Sequence, residues 1–205
     1  MKKFLIIDDH VVVRSGIKVL LSEIYKPAEV DEASNGETAL EKIKDNKYDL
    51  VTLDVQMPDT DSLGLMEYLK VKYPSLSVLV FSVSPENIYA SRFLKAGAKG
   101  FINKNAPLDE IKKAIDLVLH NEKYLSDAIT HQDPATAKEE NLFNTLSVRE
   151  FEIVSLLLSG QTISKIAANL HLGVSTIGTH KARIFDKLKV TNLLELKELA
   201  NVYNI

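Results

Sequence analysis

The sequence predicts two domains. The first is an α/β domain on a doubly wound, five-stranded parallel sheet, and the second is smaller and all-α. Three observations point there. Over the first 120 residues, short apolar β-branched runs alternate with segments whose apolar residues recur at helical spacing. Residues 126–144, SDAITHQDPATAKEENLFN, are polar, contain Pro134 and hold no sustained apolar period. Beyond Leu146 the apolar residues recur only at helical spacing. A chain of 205 residues is long enough for two domains, each with its own core. The boundaries expected are 1–125, a linker over 126–144, and 145–205.

In chain order, FLIID (4–8), LVTLD (50–54) and LSVLVFS (76–82) read as strands covered on both faces. AEVDEA (28–33) and KGFI (99–102) are weaker runs that complete a set of five. Between them Ile17, Leu20, Leu21 and Ile24 fall on one helical face. Leu65, Met66 and Leu69 do the same, as do Ile111, Ile115, Val118 and Leu119. Repeated β-α units imply a parallel sheet with helices on both faces.

In the second domain Ser147 and Glu150 have the S-x-x-E spacing of a capping box, opening a helix that runs to Leu158 and ends at Gly160. Thr162 can cap ISKIAANL, which stops at His171-Leu172-Gly173. VSTIGTHKARIFDKL follows, with Ile177, Ile184 and Leu188 on one face. A last helix from about Asn192 carries Leu193, Leu196 and Leu199. Two helices joined by a tight turn at Gly173 have the form of a helix-turn-helix.

Composition narrows the function. There is no cysteine, so disulfides and thiolate-bound metals are excluded. The opening MKKFLII is cut short by Asp8 and Asp9 before it reaches the length of a signal core. No stretch approaches the ~18 apolar residues of a membrane span. A cytoplasmic protein without membrane contact is expected. The net charge of −3 is uneven. Residues 142–205 carry seven Lys/Arg against five Asp/Glu, and within 165–189 the count is five to one. That hints at an anionic partner for the C-terminal part.

The residues at the strand ends carry the chemistry. In a parallel sheet the carboxyl ends of the strands share one edge, so Asp8 and Asp9 meet Asp54 there. Three adjacent carboxylates repel one another unless a cation joins them, and Mg²⁺ takes such oxygen ligands while keeping positions open for water or phosphate. Ser82 brings a hydroxyl to the same edge and Lys104 an ammonium group. This set suits a phosphoryl group: Asp54 can act as nucleophile, while Lys104 and Ser82 take up the phosphoryl oxygens.

These motifs, D-D-H at 8–10, L-D-V-Q-M-P around Asp54, V-F-S ending at Ser82 and G-F-I-N-K ending at Lys104, resemble the receiver domain of two-component response regulators. The resemblance covers roughly residues 2–122 and implies a flavodoxin-like fold. It implies that Asp54 is the phosphoacceptor, served by a histidine kinase. Asp8, Asp9, Asp54 and the backbone carbonyl of Gln56 would hold Mg²⁺, Ser82 and Lys104 would contact the phosphoryl group, and Phe101 would be the switch aromatic. Two positions depart from the pattern. Ser62 stands where receivers usually have glycine, implying a differently shaped loop. Val83 replaces a small residue beside the phosphoryl site.

Residues 146–192 resemble the DNA-binding domain of NarL/FixJ (LuxR-type) regulators, through Leu146-Ser147, Arg149-Glu150, Gly160, Ile166-Ala167, Leu172, Thr176-Ile177, His180, Leu188 and Val190. With Ile177, Ile184 and Leu188 buried, the opposite face offers Ser175, Thr176, Gly178, Thr179 and Ala182 to the major groove. Thr162, Lys165, His180, Lys181, Arg183 and Lys187 complete the candidate DNA contacts, the basic ones towards phosphates. Gly178 costs about 1 kcal/mol against alanine inside a helix. It either admits a close backbone approach to DNA or is incidental.

The reading is a transcription factor controlled by phosphorylation, binding promoter or operator half-sites as a homodimer, with the leucines of the last helix as a candidate dimer surface. It is not a conventional enzyme; the receiver would catalyse only transfer to and hydrolysis from Asp54. An aspartyl phosphohydrolase would place an acid/base carboxylate two residues after the nucleophile, where Gln56 stands. The remaining alternative is a DNA-binding regulator whose receiver is a phosphate-independent scaffold.

Overall fold

The computed structural model describes residues 1–57, 60–84, 86–126, 142–170 and 172–203. The chain divides into two compact units, Met1–Gln132 and Asp133–Ile205.

In the first unit the elements run β1 (Lys2–Ile7), α1 (Val11–Ile24), β2 (Ala28–Ala33), α2 (Gly36–Asp45), β3 (Leu50–Leu53), α3 (Ser62–Lys72), β4 (Val78–Ser82), α4 (Glu86–Ala96), β5 (Gly100–Asn103) and α5 (Leu108–Leu119). The strands form one sheet in the order β2-β1-β3-β4-β5, every pairing parallel. The period-two alternation of strand side chains sorts the apolar residues between two cores. Phe4, Ile6, Leu50, Leu79, Phe81 and Ile102 pack against Ile17 and Leu21 of α1 and Ile111, Ala114, Ile115 and Val118 of α5. Phe101 turns the other way, with its ring centroid 6.3 Å from that of Phe93 on α4.

Helix α2 has a weak apolar signature in the sequence and stands on local signals. The Asn35 side chain accepts from the Thr38 amide, Glu37 sits in the first turn, and Lys42 and Lys44 sit in the last. It buries only Ala39 and Ile43 besides Gly36. After α5 the chain returns to the sheet: Tyr124 bridges Gly100 in parallel and its amide donates to the Lys99 carbonyl at 2.9 Å.

The second unit opens with a short 3₁₀ turn, Leu142–Thr145, followed by α6 (Val148–Leu158), α7 (Ile163–Asn169), α8 (Val174–Leu188) and α9 (Leu193–Val202). The capping box is formed: Ser147 Oγ accepts from the Glu150 amide and the Glu150 carboxylate accepts from the Ser147 amide. Gly160 leaves α6 at a φ of +80°, which glycine adopts without strain. Thr162 and Asn192 cap α7 and α9 through their side chains. Ile153, Val154, Ile166, Ile177, Ile184 and Leu196 form a core closed to solvent. Among the described residues no helix is long and apolar enough to cross a membrane.

Candidate functional site

The strand order places the site. The chain leaves β1 for β2 at one side and returns for β3 at the other, so the C-terminal ends of β1 and β3 flank the switch point. Asp8 and Asp54 are the residues that follow those two strands. The Asp54 amide donates to the Ile7 carbonyl at 2.9 Å and the Asp8 amide to Ala33 at 3.1 Å, so both are locked to the sheet edge.

Asp8 and Asp54 are each 2% exposed. Two buried carboxylates are tolerated because Lys104, just beyond β5, sends its ammonium between them. Its Nζ lies 2.6 Å from Asp8 Oδ2 and 2.7 Å from Asp54 Oδ2. Burial pulls the Lys104 pKa down, but the hydrogen bonds and charges of Asp54 and Asp8 outweigh it and the net direction is upward. The lysine is therefore charged and the pocket holds a compensated ion triad. The backbone of Lys104 is pinned as well, its amide donating to the Ser82 carbonyl at 3.0 Å.

Asp9 and His10 extend the cluster towards solvent. Asp8, Asp9, His10 and Asp54 each offer a ligand atom, all within 4.8 Å of one another. His10 Nδ1 lies 2.8 Å from Asp9 Oδ1 and 3.3 Å from Asp8 Oδ1, and its ring is largely exposed. Asp9 Oδ1 nonetheless accepts no hydrogen bond among the described residues. A buried carboxylate oxygen that accepts no hydrogen bond, beside the carboxylates of Asp8 and Asp54, fits a hard divalent cation, with the His10 imidazole at the rim. Gln56 lies beside this cluster, its amide donating to Asp54 Oδ1 at 3.4 Å. His10 is the member that sequence reasoning missed, although its place directly after two aspartates was the signal. Arg14 was also missed: its guanidinium donates to the Asp8 carbonyl at 2.6 Å and pairs with Glu32.

Ser82 is fully buried at the end of β4, and its hydroxyl faces Ser84, at 3.3 Å from both Ser84 Oγ and the Ser84 amide. Phe101 is fully buried against Phe93. Val83 is 52% exposed, so its bulk points largely into solvent. Ser62 itself is helical. It begins α3 as a buried residue, and the only non-glycine positive φ values among the described residues belong to Asn121 and Lys189. Its hydroxyl has no hydrogen-bond partner among the described residues.

In the second unit α8 buries Ile177, Ile184 and Leu188 and leaves Ser175, Thr176, Thr179, Ala182 and Arg183 exposed, with Gly178 and Lys181 partly so. Lys165 and Thr162 are exposed on and before α7. A Cβ added to Gly178 would meet nothing within 4 Å. Lys181 places its ammonium 5.1 Å from the Phe185 ring centroid.

Two of the candidate contacts also engage the inside of the domain. Lys187 reaches back to Glu150, Nζ to Oε2 at 2.6 Å, while its side chain stays 39% exposed. Burial pushes the Glu150 carboxyl up, yet Lys187 and the Ser147 amide hold it below the ordinary range. His180 buries Nδ1 without a hydrogen-bond partner among the described residues. Burial lowers its pKa; Glu150 opposes this, and Arg149, Arg183 and Lys187 reinforce it. Sequence spacing cannot separate a basic side chain facing out from one that folds back, because residues four apart, such as Arg183 and Lys187, lie on the same helical face.

Comparison with known proteins agrees with both units. Residues 4–116 match the response regulator receiver domain, and residues 144–200 match the bacterial regulatory proteins of the luxR family. The chain is 34% identical over 204 residues to response regulator GacA of Pseudomonas syringae pv. syringae, covering 98% of this chain and 95% of that protein. It is 31% identical over 204 residues to response regulator UvrY of Escherichia coli, covering 98% and 94%. Among solved structures, RcsB of Salmonella enterica bound to a promoter superposes with a TM-score of 0.63 at 23% identity, covering 97% of each chain. Response regulator ChrA of a heme-sensing two-component system gives 0.52 at 28%, covering 98% of this chain and 97% of that one. The chain belongs to the two-component response regulators of the NarL/FixJ family, which join a receiver domain to a LuxR-type helix-turn-helix domain.

Proposed function

We propose that this response regulator is a transcription factor in which phosphorylation of Asp54 by a histidine kinase controls dimerisation and sequence-specific DNA binding. The observation that carries the proposal is the Asp54 carboxylate, buried at the end of β3, 2.7 Å from the Lys104 ammonium and grouped with Asp8 and Asp9. Residues 1–125 form the receiver, 126–144 the connection and 145–205 the DNA-binding domain.

Asp54 is the nucleophile: a carboxylate oxygen forms the bond to phosphorus as the bond to the donor nitrogen of the kinase histidine breaks, and the leaving imidazole takes up a proton. Asp8, Asp9, Asp54 and the Gln56 carbonyl would hold Mg²⁺, which when bound neutralises charge on the phosphoryl oxygens and leaves positions open for them. Lys104 already lies against Asp54 and meets another of those oxygens. Ser82 turns its hydroxyl from Ser84 to the phosphoryl group, and Phe101 repacks in response. The receiver catalyses only its own phosphorylation and dephosphorylation.

On the DNA side, Ser175, Thr176, Gly178, Thr179 and Ala182 face the major groove, while Lys165, Lys181, Arg183 and the Thr162 hydroxyl meet phosphates. Lys187 and His180 support α8 from behind. One recognition helix covers a half-site, so a homodimer is required. The exposed Leu193, Leu194 and Val202 of α9 are the dimer surface of this domain.

The test is intact-protein mass after incubation with a small phosphodonor and Mg²⁺. Wild type gains one phosphoryl group and Asp54→Asn gains none. A gain in both, or in neither under conditions that label another receiver, overturns the proposal and favours a regulator whose receiver is a phosphate-independent scaffold.

A further inference from the structure

We infer that Glu86 is a positioning residue that couples the phosphorylation centre to the segment by which the chain leaves the receiver. The inference rests on the reading of Asp54 as phosphoacceptor. Glu86 opens α4, directly after the turn that follows Ser82. Its two carboxylate oxygens serve two different parts of the molecule. Oε1 accepts from the Asn103 amide at 2.9 Å, and Oε2 accepts from the Ser126 hydroxyl. Asn103 immediately precedes Lys104, whose ammonium lies between Asp8 and Asp54.

The same neighbourhood is tied to Ser82. The Asn103 side-chain amide lies 3.4 Å from the Val83 carbonyl and 3.5 Å from that of Ser84, and Ser84 bonds the Ser82 hydroxyl through its amide. A continuous set of polar contacts therefore runs from Ser82 through Ser84, Asn103 and Glu86 to Ser126. At the far end the chain is docked. Tyr124 is 2% exposed and Ser126 8%, and the Tyr124 hydroxyl donates to Glu110 at 2.6 Å. Tyr124 is thus bridged to β5, and Glu86 is the clasp on Ser126 two residues further on. The sequence placed Ser126 at the head of the polar connection, where nothing marked it as held.

The arrangement responds to phosphate for a geometric reason. A phosphoryl group on Asp54 adds about two negative charges and three strong acceptors. Those acceptors compete for the Ser82 hydroxyl, which cannot serve them while it faces Ser84. Once Ser82 turns, Ser84 and the start of α4 lose their present anchor. One carboxylate then cannot keep both Asn103 and Ser126 in reach. Interlocked contacts of this kind switch between discrete arrangements more readily than they stretch. Ser126 is released, and with it the attachment of the connection to the receiver.

The test is hydrogen exchange at the Tyr124 amide in the full-length protein, with and without a small phosphodonor and Mg²⁺, with phosphorylation checked by mass. In wild type the phosphodonor is expected to speed exchange by about tenfold or more. Ser126→Ala and Glu86→Ala are expected to exchange at that faster rate before the phosphodonor is added. They should then respond by less than about twofold, although Ser126→Ala still gains one phosphoryl group. Wild type that is phosphorylated but keeps its Tyr124 amide protected overturns the inference, as does a full response in Ser126→Ala. A wild type that gains no mass overturns the reading of Asp54 itself, which the mass measurement shows separately.

Discussion

At the sheet edge, Lys104, Asp8 and Asp54 hold their charges at most 9% exposed, with both carboxylates within 2.7 Å of the ammonium. On α8, the face made of Ser175, Thr176, Thr179, Ala182 and Arg183 is exposed and its side chains are short apart from Arg183. In the proposed function both regions serve an anion, and they are built in opposite ways. The first has its reacting atoms fixed before any partner arrives, because phosphoryl transfer needs charge aimed in advance at one position. The second leaves its hydroxyls and cations to be ordered by the partner, because a groove is read by many weak contacts. Buried charge makes the first region costly to disturb, and exposure makes the second tolerant. That difference is open to experiment.

The largest effect is expected at Lys104. Lys104→Met leaves two buried carboxylates without their cation, and removing one partner of a buried pair costs about 3–5 kcal/mol. Denaturant unfolding should show a loss of that order without divalent cation and substantial recovery in millimolar Mg²⁺. Loss without recovery would mean that Asp8, Asp9 and Asp54 are not the cation site.

Gly178→Ala sharpens the other side. Nothing inside the protein occupies the space of the added methyl. The substitution should therefore raise stability by about 1 kcal/mol through helix propensity. If α8 approaches DNA through that bare backbone, affinity for duplexes selected by the wild type from a random pool should fall roughly tenfold, about 1.4 kcal/mol. Higher stability with unchanged affinity would make the glycine incidental to recognition.

The smallest effect concerns pH and asks whether His180 belongs with the buried groups. Its folded pKa is depressed below the ordinary 6.5, chiefly by burial. Its contribution to stability is therefore complete above pH 6.5 and is lost as pH falls through the folded value. Glu150, also depressed, from 4.5, loses its contribution further down. Thermal melts between about pH 7 and pH 5 should slope downward for wild type, and His180→Gln should flatten that slope. An unchanged slope would place His180 among the exposed recognition groups.

How far such features were legible varied with their origin. Strands β1, β3 and β4 could be read from continuous apolar runs and α8 from its apolar period at Ile177, Ile184 and Leu188, while β2 and β5 were legible only as weaker runs. Capping residues were legible where a side chain answers a backbone amide three residues on, as at Ser147 and Thr162. Helices α2 and α4 were implied only by the need for a crossover between parallel strands. At Ser62 a departure from a family pattern suggested a reshaped loop; residues 58 and 59 of that loop lie outside the described residues, and Ser62 itself is the first residue of a helix.

By itself, the sequence determined which residue types stand at the ends of the strands and which helical faces are apolar, because both follow from local spacing. Parallel topology already gathers the strand-end residues at one edge, and only the tertiary structure decided which side chains touch there. Lys104 lies fifty positions from Asp54 and close to a hundred from Asp8, yet one ammonium joins them, because parallel strands bring their C-terminal ends together whatever their separation in the chain. The same holds for Lys187, claimed by Glu150 from another helix, and for Glu86, whose carboxylate spans to Ser126. The direction of a long side chain is set by the neighbour that can satisfy its charge, and that neighbour is supplied by packing rather than by sequence position.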